Sequence, residues 1–161
     1  MEKRGILLLN DPLRRTSRFS QMHKDTKALV FREDERFLPQ AQAALYRMRR
    51  EYGWVCVAAS GCSVGIALAL AAQLLVDRLA LWMETAPKER PRELMRIDGY
   101  AKRNLSLIAC GILLVEPPED RLRMLMRGLG RGCELRCVDA AALTEEDMIG
   151  EWHAALFSAQ H

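Results

Sequence analysis

The chain is poor in histidine, with three in 161 residues, at positions 23, 153 and 161. Its five cysteines include no C-x-x-C pair: Cys56/Cys62 and Cys133/Cys137 are spaced too widely. A zinc-type ligand cluster is therefore missing, and no metal or other cofactor is expected. Cys56, Cys62 and Cys110 sit in apolar runs, which reads as reduced, buried thiols instead of a disulfide framework and points to the cytoplasm. There is no basic stripe either. The 24 basic residues stand against 21 acidic ones and are scattered, so nucleic acid is not an expected partner. The apolar run Gly5 to Leu9 is too short for a signal-peptide core and is soon followed by Asp11, Arg14 and Arg15, so no secretion signal is read. Internal repeats and low-complexity tails are also lacking. A chain of this length and apolar content suits one domain, here residues 1–161.

The most unusual absence is of charge between Tyr52 and Val76. Such a segment is long enough to cross a bilayer, and its Gly61-x-x-x-Gly65 spacing suits packing of helices in lipid. Lys and Arg divide evenly around it, however, and give no positive-inside asymmetry. The same glycines also bracket Ser63 in Gly61-Cys62-Ser63-Val64-Gly65, the G-x-S-x-G pattern of a strand-to-helix turn that presents a nucleophile. Composition changes at these glycines. Trp54 to Ala58 is aromatic and β-branched at its start, whereas Ile66 to Leu75 is rich in the helix formers Ala and Leu.

Periodicity extends this alternation along the chain. Strands are predicted at Ile6 to Leu9, Ala28 to Phe31, Trp54 to Ala58, Arg78 to Met83, Ile112 to Val115 and Cys133 to Val138. Helices are predicted after Pro39 up to Gly53, over Ile66 to Leu75, over Glu119 to Leu129 and over Glu145 to Phe157. Residues 84–109 interrupt the rhythm and read as a lid or a connecting insertion. The sum is a three-layer α/β/α architecture with a mostly parallel sheet of about six strands, whose central strands are apolar throughout. An uncharged strand, turn and helix then needs no membrane. Gly128, Gly130 and Gly132 precede a strand, the wrong order for a dinucleotide fingerprint, and read as a helix stop and turn.

At these motifs the chain resembles the α/β-hydrolase family. GILLLND is similar to the strand leading to the oxyanion loop, WVCVAAS-GCSVG-IALALAAQ to the nucleophile elbow, and GILLVEPPEDR to the strand and turn that deliver the acid. The resemblance implies a minimal, cap-poor member without the family's first two strands. It assigns Ser63 as nucleophile, Asp120 as acid and Val64 as backbone oxyanion donor, with Asn10 and Asp11 in place of the usual His-Gly of the oxyanion loop. Pro12, next in line, has no N–H to give. The family's histidine loop reads VDAAALTEED here and holds no imidazole. His153 is then the candidate base and His23 its rival, while Glu84 and Glu116 are alternative acids. Cys62, beside the serine, reads as a small apolar filler or a reactive thiol at a helix start. The implied function is hydrolysis of an ester, thioester or related acyl bond of a small molecule, with no membrane partner and a homodimer left open. The alternative is a non-catalytic binding or interaction protein on the same fold, catalytically degenerate because the triad is incomplete.

Overall fold

The structure, a computed structural model, describes residues 3–13, 25–83, 90–115 and 117–138. Six strands, β1 (Arg4–Leu9), β2 (Thr26–Leu29), β3 (Trp54–Ser60), β4 (Arg78–Trp82), β5 (Gly111–Val115) and β6 (Leu135–Val138), form one sheet in the order β2-β1-β3-β4-β5-β6. Every pairing is parallel. Among the described residues four helices lie in the connections from β2 onward: α1 (Phe37–Glu51), α2 (Ser63–Gln73), α3 (Arg92–Arg103) and α4 (Glu119–Gly128). The path from β2 to β3 steps over β1, and each later crossover moves one strand further in the same direction. Right-handed crossovers that all advance one way place their helices on one face. Accordingly α1, α2 and α3 touch one another, and α4 joins the layer through the 3₁₀ turn Leu105–Leu107.

The sheet is apolar because both of its faces are buried. Leu7, Leu9, Val55, Val57, Leu79, Leu81, Ile112 and Leu114 belong to the core under the helices, and Ile6, Leu8, Cys56, Ala58, Ala80 and Leu113 on the alternate positions are buried as well. Helix α2 has no polar face to give to water, since Ser63 through Ala71 are all buried between the sheet, α1 and α3. This accounts for the uncharged segment. It is a seven-residue strand, a turn and an eleven-residue helix, against about 20 residues for a membrane span. Among the described residues no helix is long and apolar enough to cross a membrane.

Some boundaries differ from the periodicity. Helix α1 starts at Phe37, two residues before Pro39, because first-turn N–H groups have no intrahelical partner and a proline there costs nothing. The Phe37 N–H is instead held by both carboxylate oxygens of Glu93 on α3, at 2.7 and 3.0 Å. Strand β2 lies two residues earlier than Ala28 to Phe31; Val30 is exposed and Phe31 turns away to meet Phe37 edge-on at 5.5 Å. In the region 84–109, residues Arg92–Arg103 are the crossover helix α3 between β4 and β5. The helix expected over Glu145 to Phe157 lies outside the described residues.

Strand order reverses at β1, with β2 on one side and β3 on the other. In open parallel sheets such a reversal opens a crevice beyond the carboxyl ends of the strands. The register pairs Leu9 with Ala59 and Ser60 with Trp82, so Asn10, Gly61 and Met83 leave the sheet along the same edge.

Candidate functional site

The turn from β3 into α2 is built around Gly61, not Ser63. Gly61 has φ of 60°, in the left-handed region that side chains other than glycine's seldom adopt. Cys62 follows as the N-cap, and Ser63 is already the first residue of α2. The expectation of Ser63 at the apex is corrected by two residues. The sequence carries two overlapping frames of small residues, Ala59-x-Gly61-x-Ser63 and Gly61-x-Ser63-x-Gly65, and pattern alone does not choose between them. The strand does, because β3 continues through Ser60 and leaves Gly61 to make the sharp turn.

Ser63 has none of its surface exposed. Its hydroxyl oxygen accepts from the Ser60 N–H at 3.1 Å and lies 2.7 Å from the Ser60 carbonyl and 2.8 Å from the Leu9 carbonyl. With one proton, it donates to one of these carbonyls at a time. The side chain is thus a knot between the ends of β1 and β3 and the first turn of α2. Val64, expected as the oxyanion donor, is also fully buried, and its N–H bonds the Gly61 carbonyl at 3.3 Å within the turn. The residue that follows the apex is Cys62, which is buried. Gly65 serves a different purpose from the one its motif suggests. A Cβ there would lie 3.0 Å from Asp98 Cγ and still closer to its carboxylate oxygen, so glycine lets the α3 carboxylate rest on α2.

Two residues expected in the oxyanion loop have other tasks. Asn10 is buried, and its backbone N–H and side-chain amide both donate to the Leu29 carbonyl, at 3.1 and 3.2 Å. It ties the end of β1 to the end of β2. Asp11 accepts from the Leu13 N–H through Oδ1 at 2.9 Å, an Asx turn across Pro12. Its other oxygen lies over Gly61, where a Cβ would fall 2.9 Å from Asp11 Cγ and well inside contact with Oδ2. A carboxylate from the β1 loop therefore occupies the space in which a side chain at the apex would begin.

Asp120 is the second residue of α4 and is exposed. It is not the helix cap, which is Pro118. No hydrogen bond joins it to Ser63, and it lines a cavity between α2, α3 and α4 together with Arg121. His153, His23, Glu84 and Glu116 lie outside the described residues. The structure thus gathers Ser63, Val64, Asn10 and Asp11 around one turn and leaves Asp120 separate from them. Among the described residues no group of His, Cys, Asp and Glu is arranged to hold a metal ion.

No family model and no curated protein matches the chain. Solved structures do. One comes from the description of LipS and LipT, two metagenome-derived lipolytic enzymes. It is 12% identical with a TM-score of 0.70, over 99% of this chain and 95% of that one. The fold is that of an α/β hydrolase. Another such structure is MGS-M2, an α/β-hydrolase enzyme from a Medee basin deep-sea metagenome library. It is 12% identical with a TM-score of 0.59, over 99% of this chain and 90% of that one. On this α/β-hydrolase fold, the β3 to α2 turn is a strand-to-helix turn at the carboxyl edge of the sheet.

Proposed function

We propose that this chain uses the α/β-hydrolase fold to bind a small molecule, and that Ser63 does not hydrolyse it. One observation carries the reading. The apex of the elbow is Gly61, and the Asp11 carboxylate fills the place of the missing side chain. A nucleophile must reach a carbonyl carbon and lose a proton to a base within hydrogen-bond distance. The Ser63 hydroxyl is sealed from solvent and engaged with backbone groups on three sides. The α/β-hydrolase fold and its enzyme neighbours, one of them lipolytic, favour the competing reading, in which Ser63, Asp120 and His153 cleave an ester, thioester or related acyl bond. That reading requires the serine to leave its bonds and the first turn of α2 to open.

A fluorophosphonate probe separates the two. The binding reading expects no labelling of the unmodified protein and no difference from Ser63→Ala. Labelling that disappears in Ser63→Ala would overturn it and restore the serine hydrolase.

A further inference from the structure

The cavity beside Asp120 has a composition that neither the elbow nor the core requires. It measures about 390 Å³, within the usual range for small-molecule sites. Its lining is mixed: Leu68, Leu105 and Met124 are apolar, the first two of them buried, and the rest includes several charged groups. Arg90, Lys102 and Arg121 supply three positive groups there against the carboxylates of Asp98 and Asp120. An adjoining cavity of about 500 Å³ continues the basic lining with Arg123 and Arg127.

The charged groups are held in place. Asp98 is seated against α2 by the absence of a side chain at Gly65, and it ion-pairs with Arg90 through Nη1. Arg90 Nε is buried and has no hydrogen-bond partner among the described residues. An N–H in that condition costs free energy until something accepts from it. Burial pulls the Arg121 pKa below its ordinary value and the neighbouring Arg90 charge pulls it further, against smaller opposing effects of Asp120 and Cys62. Two guanidiniums near one another across a cavity repel, and an oxyanion between them would relieve the repulsion while accepting from their N–H forks.

We propose that this cavity binds a small organic oxyanion, with its carboxylate or phosphate at Arg90 and Arg121 and a compact apolar body against Leu68, Leu105 and Met124. The proposal rests on the reading of the chain as a binding protein, but it uses a cavity lined by Gly65 and Arg121 and not by Ser63. Gly65 gains a reason in this arrangement, since it fixes the carboxylate that orients Arg90. Both ligand heads share the oxyanion chemistry that arginine recognises, and the test tells them apart.

The test is calorimetric titration of the full chain with phenyl phosphate and with phenylacetate at constant ionic strength, with phenol as the uncharged comparison. Saturable binding of at least one anion is expected at or below about 10 mM, with phenol at least about tenfold weaker. The anion that binds identifies the head group. Arg121→Met keeps the stem and removes the fork, and it should weaken binding by about tenfold or more, with Arg121→Lys between the two. Arg50→Met, on the exposed side of α1, should change nothing. Circular dichroism and a urea curve on each variant confirm folding, and the comparison of anions with phenol on the unmodified protein stands even where a variant fails to fold. Lack of binding by both anions, equal binding of phenol, or unchanged affinity in a folded Arg121→Met would each overturn the proposal. Because the probe reaction concerns Ser63 and the titration concerns Arg121, failure of one is distinguishable from failure of the other.

Discussion

Replacing Ser63 with alanine separates a structural hydroxyl from a chemical one. The substitution deletes one oxygen from a side chain that has no exposed surface. That oxygen has contacts at 2.7, 2.8 and 3.1 Å to groups at the ends of β1 and β3. Its loss removes one of two acceptors from the Ser60 N–H, which the β1 ladder also holds, and a donor from one carbonyl. Each buried hydrogen bond contributes about 0.5–1.5 kcal/mol, and two are lost at a time here, one accepted and one donated, for about 1–3 kcal/mol. For a chain of this size each kcal/mol moves Tm by about 2–4 °C, so a fall of roughly 2–12 °C is expected. Urea unfolding followed by the fluorescence of Trp54 and Trp82, on the strands that flank the turn, measures the same quantity at equilibrium. A serine kept for chemistry behaves in the opposite way, since sites shaped for activity carry a stability cost that substitution relieves. If Ser63→Ala matches the unmodified protein within about 0.5 kcal/mol, the reasoning that makes Ser63 a structural knot is refuted.

Gly61 and Asp11 should behave as a coupled pair. Gly61→Ala places a Cβ at positive φ, at a cost of roughly 1–2 kcal/mol, and forces Asp11 off the turn. In a double-mutant cycle with Asp11→Ala, the combined loss should fall short of the sum by about 0.5–3 kcal/mol, and additive urea midpoints would show that the carboxylate does not fill the apex. The thiols predict a pH dependence. Burial raises Cys56 well above its ordinary value of 9.0 and pushes Cys110 up to about 12. The unfolded chain therefore releases these protons first. For Cys110 the stabilising effect is complete below 9.0 and is lost as pH climbs from there toward 12, by about 1.4 kcal/mol per pH unit, and the effect of Cys56 falls in the same direction. Urea curves at rising pH test this, and a midpoint independent of pH would contradict it. Alkylation of the native protein by iodoacetamide should meanwhile reach the exposed Cys137 well before Cys56 or Cys110.

The fold was largely legible because the four inner strands are buried on both faces, and a doubly buried strand must be an apolar run. Ile6 to Leu9, Trp54 to Ala58 and Ile112 to Val115 announce themselves in that way. Edge strand β2 is less legible, since Lys27 and Ala28 are exposed and its register comes from backbone bonds to β1. Helix α1 begins before its proline because Glu93, 56 residues later in the chain, receives the Phe37 N–H. No local pattern records that contact.

The elbow shows the same division more sharply. The sequence by itself determined that strand gives way to helix between Ser60 and Ile66, because small residues are the ones such a turn admits. Only the tertiary structure decided which of them stands at the apex. That choice depends on where β3 stops pairing with β4, on the Leu9 carbonyl that captures the Ser63 hydroxyl, and on the Asp11 carboxylate that fills the space above Gly61. The cavity is likewise a product of assembly. Arg90 and Asp98 precede Arg121 by more than twenty residues, and α3 packed on α2 with α4 beside them brings the three to one opening. Periodicity reports which face of an element is buried, whereas a site is made by residues that become neighbours when the elements pack.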